Sequence, residues 1–382
     1  VTRPILLLLK FEGGDHCGRR IAFKSCSLST LSLSVSTGFL LVLGWNRMAV
    51  STRWLMVLTL LGWLVGFLHA TAGEADPVYK RCVEQCERTG QIGGISFQHC
   101  PFSSHGVGSW WRWREWNCRS DCRYNCVMQR EKEREELGLE PVKYHGKWPH
   151  RRAVVFQESI STVLPALNLV MQFHGWLSFT LQLHHKLPSR LLGKRSHYEY
   201  TGLWHVYALL AMNAWFWSTI CHTREFDLTE KLDYTSAVAL VGYSLILTIF
   251  RTFNLRDEGS RVMVASPLLG FVMTHVCYLN WADLDYGFNM KVCNVMGVAQ
   301  LLLWSIWAGV TCHPSRFKLW TVGVGGGIAM LLEAYDFPPW KGYFLDAHTL
   351  WHASTIPLTY LWWSFVRDDA EFQTLALMKK AK

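Results

Sequence analysis

Charge is what this sequence has least of. Only 18% of its 382 residues are charged, against 50% that are hydrophobic and 14% that are aromatic. That balance excludes an ordinary soluble domain and points to a membrane protein. The net charge of +9 does not make it a nucleic-acid binder, because the basic residues are scattered through short loops and form no stripe. Such scattering is what sets membrane topology. The stretch before Asn46 lacks a clear hydrophobic period. No Asn-x-Ser/Thr sequon occurs between residues 73 and 140, and that region also lacks the C-x2-C knuckle that zinc ribbons favour.

What is there begins at Met48, which opens a secretory-signal pattern. Arg53 precedes the apolar run Trp54–Leu68, and the small residues Ala70, Thr71 and Ala72 follow before Gly73. On this reading residues 1–47 are upstream gene-model sequence, 48–72 are a signal peptide, and cleavage falls after Ala72. The alternative is a signal-anchor helix near Phe39–Leu68. Residues 73–140 then form a lumenal domain with six cysteines, Cys82, Cys86, Cys100, Cys118, Cys122 and Cys126. An even count after a signal peptide reads as a disulfide framework, with fifteen formal pairings, and the i, i+4 spacing suits two short helices stapled together. Trp110, Trp111, Trp113 and Trp116 are read as that domain's core, with a headgroup- or glycan-facing patch as the alternative, and Glu131–Leu139 as a charged helical linker.

Residues 141–366 carry seven apolar segments, near 159–183, 203–221, 235–254, 262–281, 292–312, 319–336 and 348–366, each about the length that crosses a ~30 Å bilayer core. The sequence therefore predicts an all-α membrane protein: a seven-helix transmembrane bundle behind a disulfide-rich lumenal domain. Pro165, Asn168 and His174 in the first segment and Glu333 in the sixth mark helices that face a bundle interior. Gly323, Gly325, Gly326 and Gly327 read as a close-packing stripe. With the cysteine domain in the lumen, Lys186, Arg190, Lys194, Arg195, Arg251, Arg256, Arg261, Arg316 and Lys318 fall in cytosolic loops, and only Arg224, Lys231, Lys291 and Lys341 in lumenal ones. The tail, 367–382, is then cytosolic and ends in Lys379 and Lys380, either a KKxx-like signal for a retrieval coat or a basic patch at the membrane surface.

The same topology gathers a site at the lumenal ends. Ser218 and His222 are four apart at the end of the second segment, Asp233 opens the third, and His348 and His352 are four apart at the start of the seventh. Residues four apart share one helix face. Sixteen histidines give about 0.7 of an H-x3-H pair by chance, so the motif alone is not specific. Its weight comes from five polar groups at one membrane depth, where ionisable side chains are expensive and usually functional. Three histidines from two helices form a ligand set that leaves a position for water. His275 is the rival ligand, while His174 and His205 lie deeper or on the cytosolic side.

The run Tyr144-His145-Gly146-Lys147-Trp148-Pro149, the stretch Asn213–Tyr234, the run Asp285-Tyr286-Gly287, the run Asp336-Phe337-Pro338-Pro339 and the stretch Leu345–Pro357 occur in this order. Together they resemble the post-GPI-attachment-to-proteins factor 3 family over roughly residues 77–369. That family sits in a wider group of seven-span proteins with the alkaline ceramidases and the adiponectin and progestin receptors, marked by one Ser, three His and one Asp. The matching positions here are Ser218, His222, Asp233, His348 and His352. Ser159 departs from the family's pattern, which has proline there, and residues 1–47 have no counterpart.

The resemblance implies a Golgi or endoplasmic-reticulum hydrolase of membrane lipid. Its substrate would be the sn-2 acyl ester of the inositol phospholipid on GPI-anchored proteins. It also implies zinc on His222, His348 and His352, with Asp233 and Ser218 as catalytic groups. Zinc lowers the pKa of a bound water from 15.7 to about 7. A Ser–His nucleophile is the second mechanism, ranked lower because Ser218 lies within a helix and not on a strained elbow. The competing function class is a non-enzymatic receptor or GPI-protein sorting factor that keeps the metal structurally.

Overall fold

A computed structural model of the chain describes residues 72–381 apart from 98–117, 146, 151, 153–158, 186, 188–189, 192–193, 196–197, 282–285 and 340–345. The upstream and signal segments before residue 72, Cys100 and the tryptophan patch lie outside the described residues.

The N-terminal unit is two stapled helices. After a single turn α1 (Ala72–Ala75), α2 (Pro77–Thr89) opens with Asp76 accepting from the Val78 amide at 2.8 Å and Pro77 in the first turn, where its missing N–H does no harm. It closes on Gly90 in the left-handed region (φ 67°), as a helix C-terminus commonly requires. A short hairpin, β1 (Gln91–Ile92) and β2 (Ile95–Ser96), pairs antiparallel before α3 (Cys118–Glu136). Cys82–Cys126 and Cys86–Cys122 join α2 to α3, so both i, i+4 pairs face the same seam. Cys118 is buried beside them. Tyr79 and Tyr144 complete the core, and the Tyr144 hydroxyl donates to Glu131 at 2.9 Å. Glu131 is only 3% exposed, so α3 packs into this unit to its last turns where the sequence reads as a linker.

Seven long helices follow: α4 (Ser159–His185), α5 (Thr201–Thr223), α6 (Asp227–Thr252), α7 (Glu258–Trp281), α8 (Tyr286–Val310), α9 (Arg316–Tyr335) and α10 (Ala347–Ala381). A two-residue antiparallel pair, β3 (Arg190–Leu191) with β4 (Lys194–Arg195), lies between α4 and α5. The helices pack in a ring, α4 on α5, α5 on α6, α6 on α8, α8 on α9, α9 on α10 and α10 back on α4, with α7 leaning on α6. Among the described residues, four stretches, Asp227–Thr252, Glu258–Trp281, Gly287–Val310 and Arg316–Tyr335, are long and apolar enough to cross a membrane. Large apolar side chains such as Leu209, Leu302, Ile306, Val324 and Leu331 point outward and exposed, as lipid-facing residues do. The chain is an all-α membrane protein.

Two features fix how the helices meet. At Gly175 of α4 an added Cβ would sit 2.2 Å from the Trp363 ring of α10, and at Gly325 of α9 it would sit 2.6 Å from Leu358 of α10. Close approach, not backbone freedom, calls for glycine there. Gly327, by contrast, faces nothing within 4 Å, so only part of the glycine stripe packs. At the other end of α10, Asp369 is fully buried and accepts from Arg251 Nε at 2.9 Å, Arg251 Nη2 at 2.5 Å and the Tyr198 hydroxyl at 2.6 Å. The segment after residue 366, read from sequence as a tail, continues α10 as helix to Ala381, with Ala370 and Thr374 also buried.

Candidate metal centre

The histidines are brought together by one helix end and one helix start. α5 ends at Thr223, and Arg224 turns the chain into an extended conformation (φ −156°, ψ 102°). Only Arg224, Glu225 and Phe226 separate α5 from α6. Thr229 holds this corner, accepting from the Phe226 amide at 3.0 Å with its hydroxyl within 3.0 Å of Arg224 O. So short a corner makes α5 and α6 antiparallel neighbours and returns Asp233, two turns into α6, to the level of His222. α10 starts on Asp346, whose Oδ1 accepts from the Thr349 amide at 2.7 Å. That capping bond sets His348 in the first turn and His352 one turn later on the same face.

The three imidazoles converge. One ring nitrogen from each of His222, His348 and His352 lies within 4.8 Å of the others. His222 Nε2 and His352 Nε2 are 3.2 Å apart, and the ring centroids are separated by 5.1 Å (His222–His352), 5.4 Å (His222–His348) and 4.5 Å (His348–His352). His352 is 2% exposed, and its segment of α10 is braced by α4. Asn168 Nδ2 donates to His352 O at 3.0 Å, and Ser161 and Thr349 hydroxyls meet at 3.1 Å. Trp351 stacks on His348. Each of the three offers an imidazole nitrogen, a donor type that suits zinc, copper, iron or nickel.

Asp233, His222 and His348 line one cavity of about 60 Å³ of water-accessible space, room for a few waters. Its roof is the segment between the two units of the chain. Lys147, Trp148 and His150 line the cavity from there. Lys147 Nζ donates to Glu225 at 2.6 Å, Trp148 Nε1 to Asp336 Oδ1 at 2.8 Å, and His150 Nε2 lies 3.0 Å from Asp346 Oδ2. Lys143 also pairs with Asp336. Burial opposes a charge on Asp346, but the His150 contact and the Thr349 amide outweigh it and hold that carboxyl down to about 2. Burial likewise opposes the charge of Lys147, and the Glu225 and Glu230 carboxylates overcome it, raising its pKa well above the ordinary value.

Four of the five site residues read from the sequence, His222, Asp233, His348 and His352, thus meet at one place. Ser218 is buried on α5 one turn before His222 and is not among the residues lining the cavity. His275 is not part of the trio; it hydrogen-bonds Asn289 at 3.1 Å. His205 accepts from Trp176 at 2.9 Å, away from the site. Glu333 was legible only as an interior-facing acid, and the structure sets it against His348, with Oε1 and Oε2 at 3.1 and 3.0 Å from Nδ1.

Comparison with known proteins follows the same lines. The model of the Per1-like family matches residues 109–370. A GPI-specific phospholipase A2-like PGAP3 from Xenopus tropicalis is 35% identical over 316 residues, covering 80% of this chain and 93% of its own length. One from Homo sapiens is 34% identical over 339 residues, 85% of this chain and 96% of its own. The Drosophila melanogaster post-GPI attachment to proteins factor 3 is 30% identical over 313 residues, 81% and 92%. No solved structure matches. With the match running from ahead of α3 through the bundle into α10, this chain belongs to the Per1-like family, as a relative of the post-GPI-attachment factor 3 proteins.

Proposed function

We propose that this protein is a hydrolase that removes the sn-2 acyl chain from the inositol phospholipid of GPI-anchored proteins, with zinc held by His222, His348 and His352. The observation that carries the reading is the meeting of three imidazoles, two of which, His222 and His348, line one small cavity with the Asp233 carboxylate. The relatives' names, GPI-specific phospholipase A2-like, supply the substrate class. When bound, zinc would acidify water and polarise an ester carbonyl. Asp233 faces the same cavity and is placed to orient a water and take its proton. Ser218 supports the α5 face that carries His222, or donates to oxygen charge developing in the reaction. The buried surroundings exclude bulk water and strengthen each of these interactions.

Domain and address readings go with this function. All seven long helices cross the membrane, the cysteine unit lies in the lumen, and the protein resides in the Golgi or endoplasmic reticulum. Removal of residues 48–72 leaves Gly73 as the mature N-terminus, and its nitrogen donates to Lys143 O at 3.0 Å, a bond that a free ammonium makes equally well. N-terminal sequencing that finds Lys10 or Arg20 in mature protein sinks that reading. Lys379 and Lys380 act as a retrieval signal, so replacing both by Ser should shift the protein later in the secretory pathway.

The deciding experiment is mass spectrometry of GPI lipids from cells that carry only the His348→Ala, His352→Ala double variant. Unremodelled anchors keeping an unsaturated sn-2 chain should accumulate, and zinc in the purified protein should fall. Asp233→Asn should lose activity with zinc retained, and Ser218→Ala should lose roughly 10²–10³ in rate if it donates to the oxyanion. Normal remodelling by a folded double variant would falsify the hydrolase reading and leave the sorting-factor class standing.

A further inference from the structure

We propose that Glu333 of α9 is the positioning residue for His348: it fixes which ring nitrogen of His348 carries the proton and so makes that histidine competent to bind a metal. This rests on the metal reading above and deepens it. Glu333 is an acid placed in a helix apolar enough to cross a membrane, with its side chain 5% exposed. A carboxylate in such surroundings is expensive unless its oxygens are well partnered. Both of them are turned toward a single atom, His348 Nδ1, at 3.1 and 3.0 Å, across the α9–α10 contact.

The direction of that contact matters. A carboxylate only accepts, so the hydrogen between the two groups sits on Nδ1. In a neutral imidazole the other nitrogen, Nε2, then carries the lone pair and is the one that can serve as ligand toward His222 and His352. A carboxylate behind a ligating histidine also raises the basicity of the ligand nitrogen and locks the ring plane. The ring is pinned on its other face by Trp351, stacked 5.6 Å away at 18°. Helix α9 therefore contributes to the centre without contributing a ligand, which explains why an acid interrupts its apolar face two residues before the helix ends.

The test compares wild type, Glu333→Gln, Glu333→Asp and the His348→Ala, His352→Ala double variant, each as full-length protein in detergent. Zinc alone is titrated against a competing chelator, and melting is recorded for the metal-stripped forms. Gln preserves size but removes the charge, and its NH2 can donate to Nδ1, which puts the ring proton on Nε2. The expectation is a zinc affinity weaker by about 10–100-fold in Glu333→Gln, with partial recovery in Glu333→Asp. A purely structural His–Glu pair would move the melting of the metal-stripped protein and leave zinc affinity untouched. Wild-type affinity in a folded Glu333→Gln therefore overturns the positioning role while the metal reading stands. A wild-type protein that binds zinc no better than the double histidine variant overturns both.

Discussion

Replacing Asp369 by Asn tests how the far end of the bundle is held. Asp369 is fully buried and Arg251 is 7% exposed at its side chain, and the two form a bidentate pair at 2.9 and 2.5 Å with the Tyr198 hydroxyl as a third donor. Asn keeps the shape but leaves the guanidinium buried without a counter-charge. Losing one partner of a buried pair costs about 3–5 kcal/mol. The adjacent residue provides the control, because Asp368 pairs with Lys318 at side-chain exposures of 34% and 37%, where a salt bridge contributes at most ~1 kcal/mol. At roughly 2–4 °C per kcal/mol for chains of this order, Asp369→Asn should lower the melting temperature in detergent by on the order of 10 °C, and Asp368→Asn by no more than about 4 °C. Zinc per folded molecule should not change, since Asp369 lies 17 residues beyond His352 on one helix, about 25 Å away at 1.5 Å per residue. Equal, small shifts for the two variants would refute the claim that charge burial locks this end.

Three further outcomes follow from the packing and the N-terminal unit. Gly175→Ala pushes a methyl to 2.2 Å from the buried, rigid Trp363 ring, so it should destabilise by about 1–3 kcal/mol, read as a lower melting temperature, whereas Gly327→Ala, with open space around it, should be near neutral. Burial raises the Glu131 pKa, with the Tyr144 bond and Arg134 opposing, so the protonated acid is favoured in the fold. Its contribution is then fully present below the unfolded value of 4.5 and is lost as pH rises through the raised one. Hydrogen exchange of the α3 amides should quicken over that window in wild type and lose this dependence in Glu131→Gln. Finally, alkylation without reductant should leave Cys82, Cys86, Cys122 and Cys126 unlabelled, and their labelling together with zinc release would favour a metal knuckle over disulfides.

Much of this was readable from local chemistry. The i, i+4 spacing of Cys82 with Cys86 and of Cys122 with Cys126 placed each pair on one helix face, and two helices facing each other is what the disulfides show. Which cysteine joins which was not readable, because pairing depends on how α2 and α3 run past one another. His348 and His352 were legible as one face for the same reason, and His222 with Asp233 as neighbours across a short corner. What escaped was everything set by contacts distant in sequence. Glu333 could be recognised as interior-facing, but nothing local links it to a histidine fifteen residues on. His150 and Lys147 belong to a polar connector whose composition resembles any loop, and only the fold lays it across the cavity. Likewise the helical continuation of α10 past residue 366 packs through the buried Asp369–Arg251 contact, which no window of sequence contains.

The same logic explains why the three histidines fall on the least membrane-like helices. α4, α5 and α10 are as long as the other four, yet they are not among the stretches apolar enough to count as spans on composition alone. They carry Asn168 and Gln172, Ser218 and His222, and His348 and His352, and every one of these is turned inward or into the shared cavity. A polar group inside a bilayer is tolerated when a neighbouring helix satisfies it, so the three helices must pack on one another: α10 and α5 each lie against α4. These polar side chains thus select the packing that protects them. Helices α7 and α8 meet their own polar demand in the buried His275–Asn289 pair and otherwise present apolar faces to lipid, which is why they count among the spans and hold none of the three histidines.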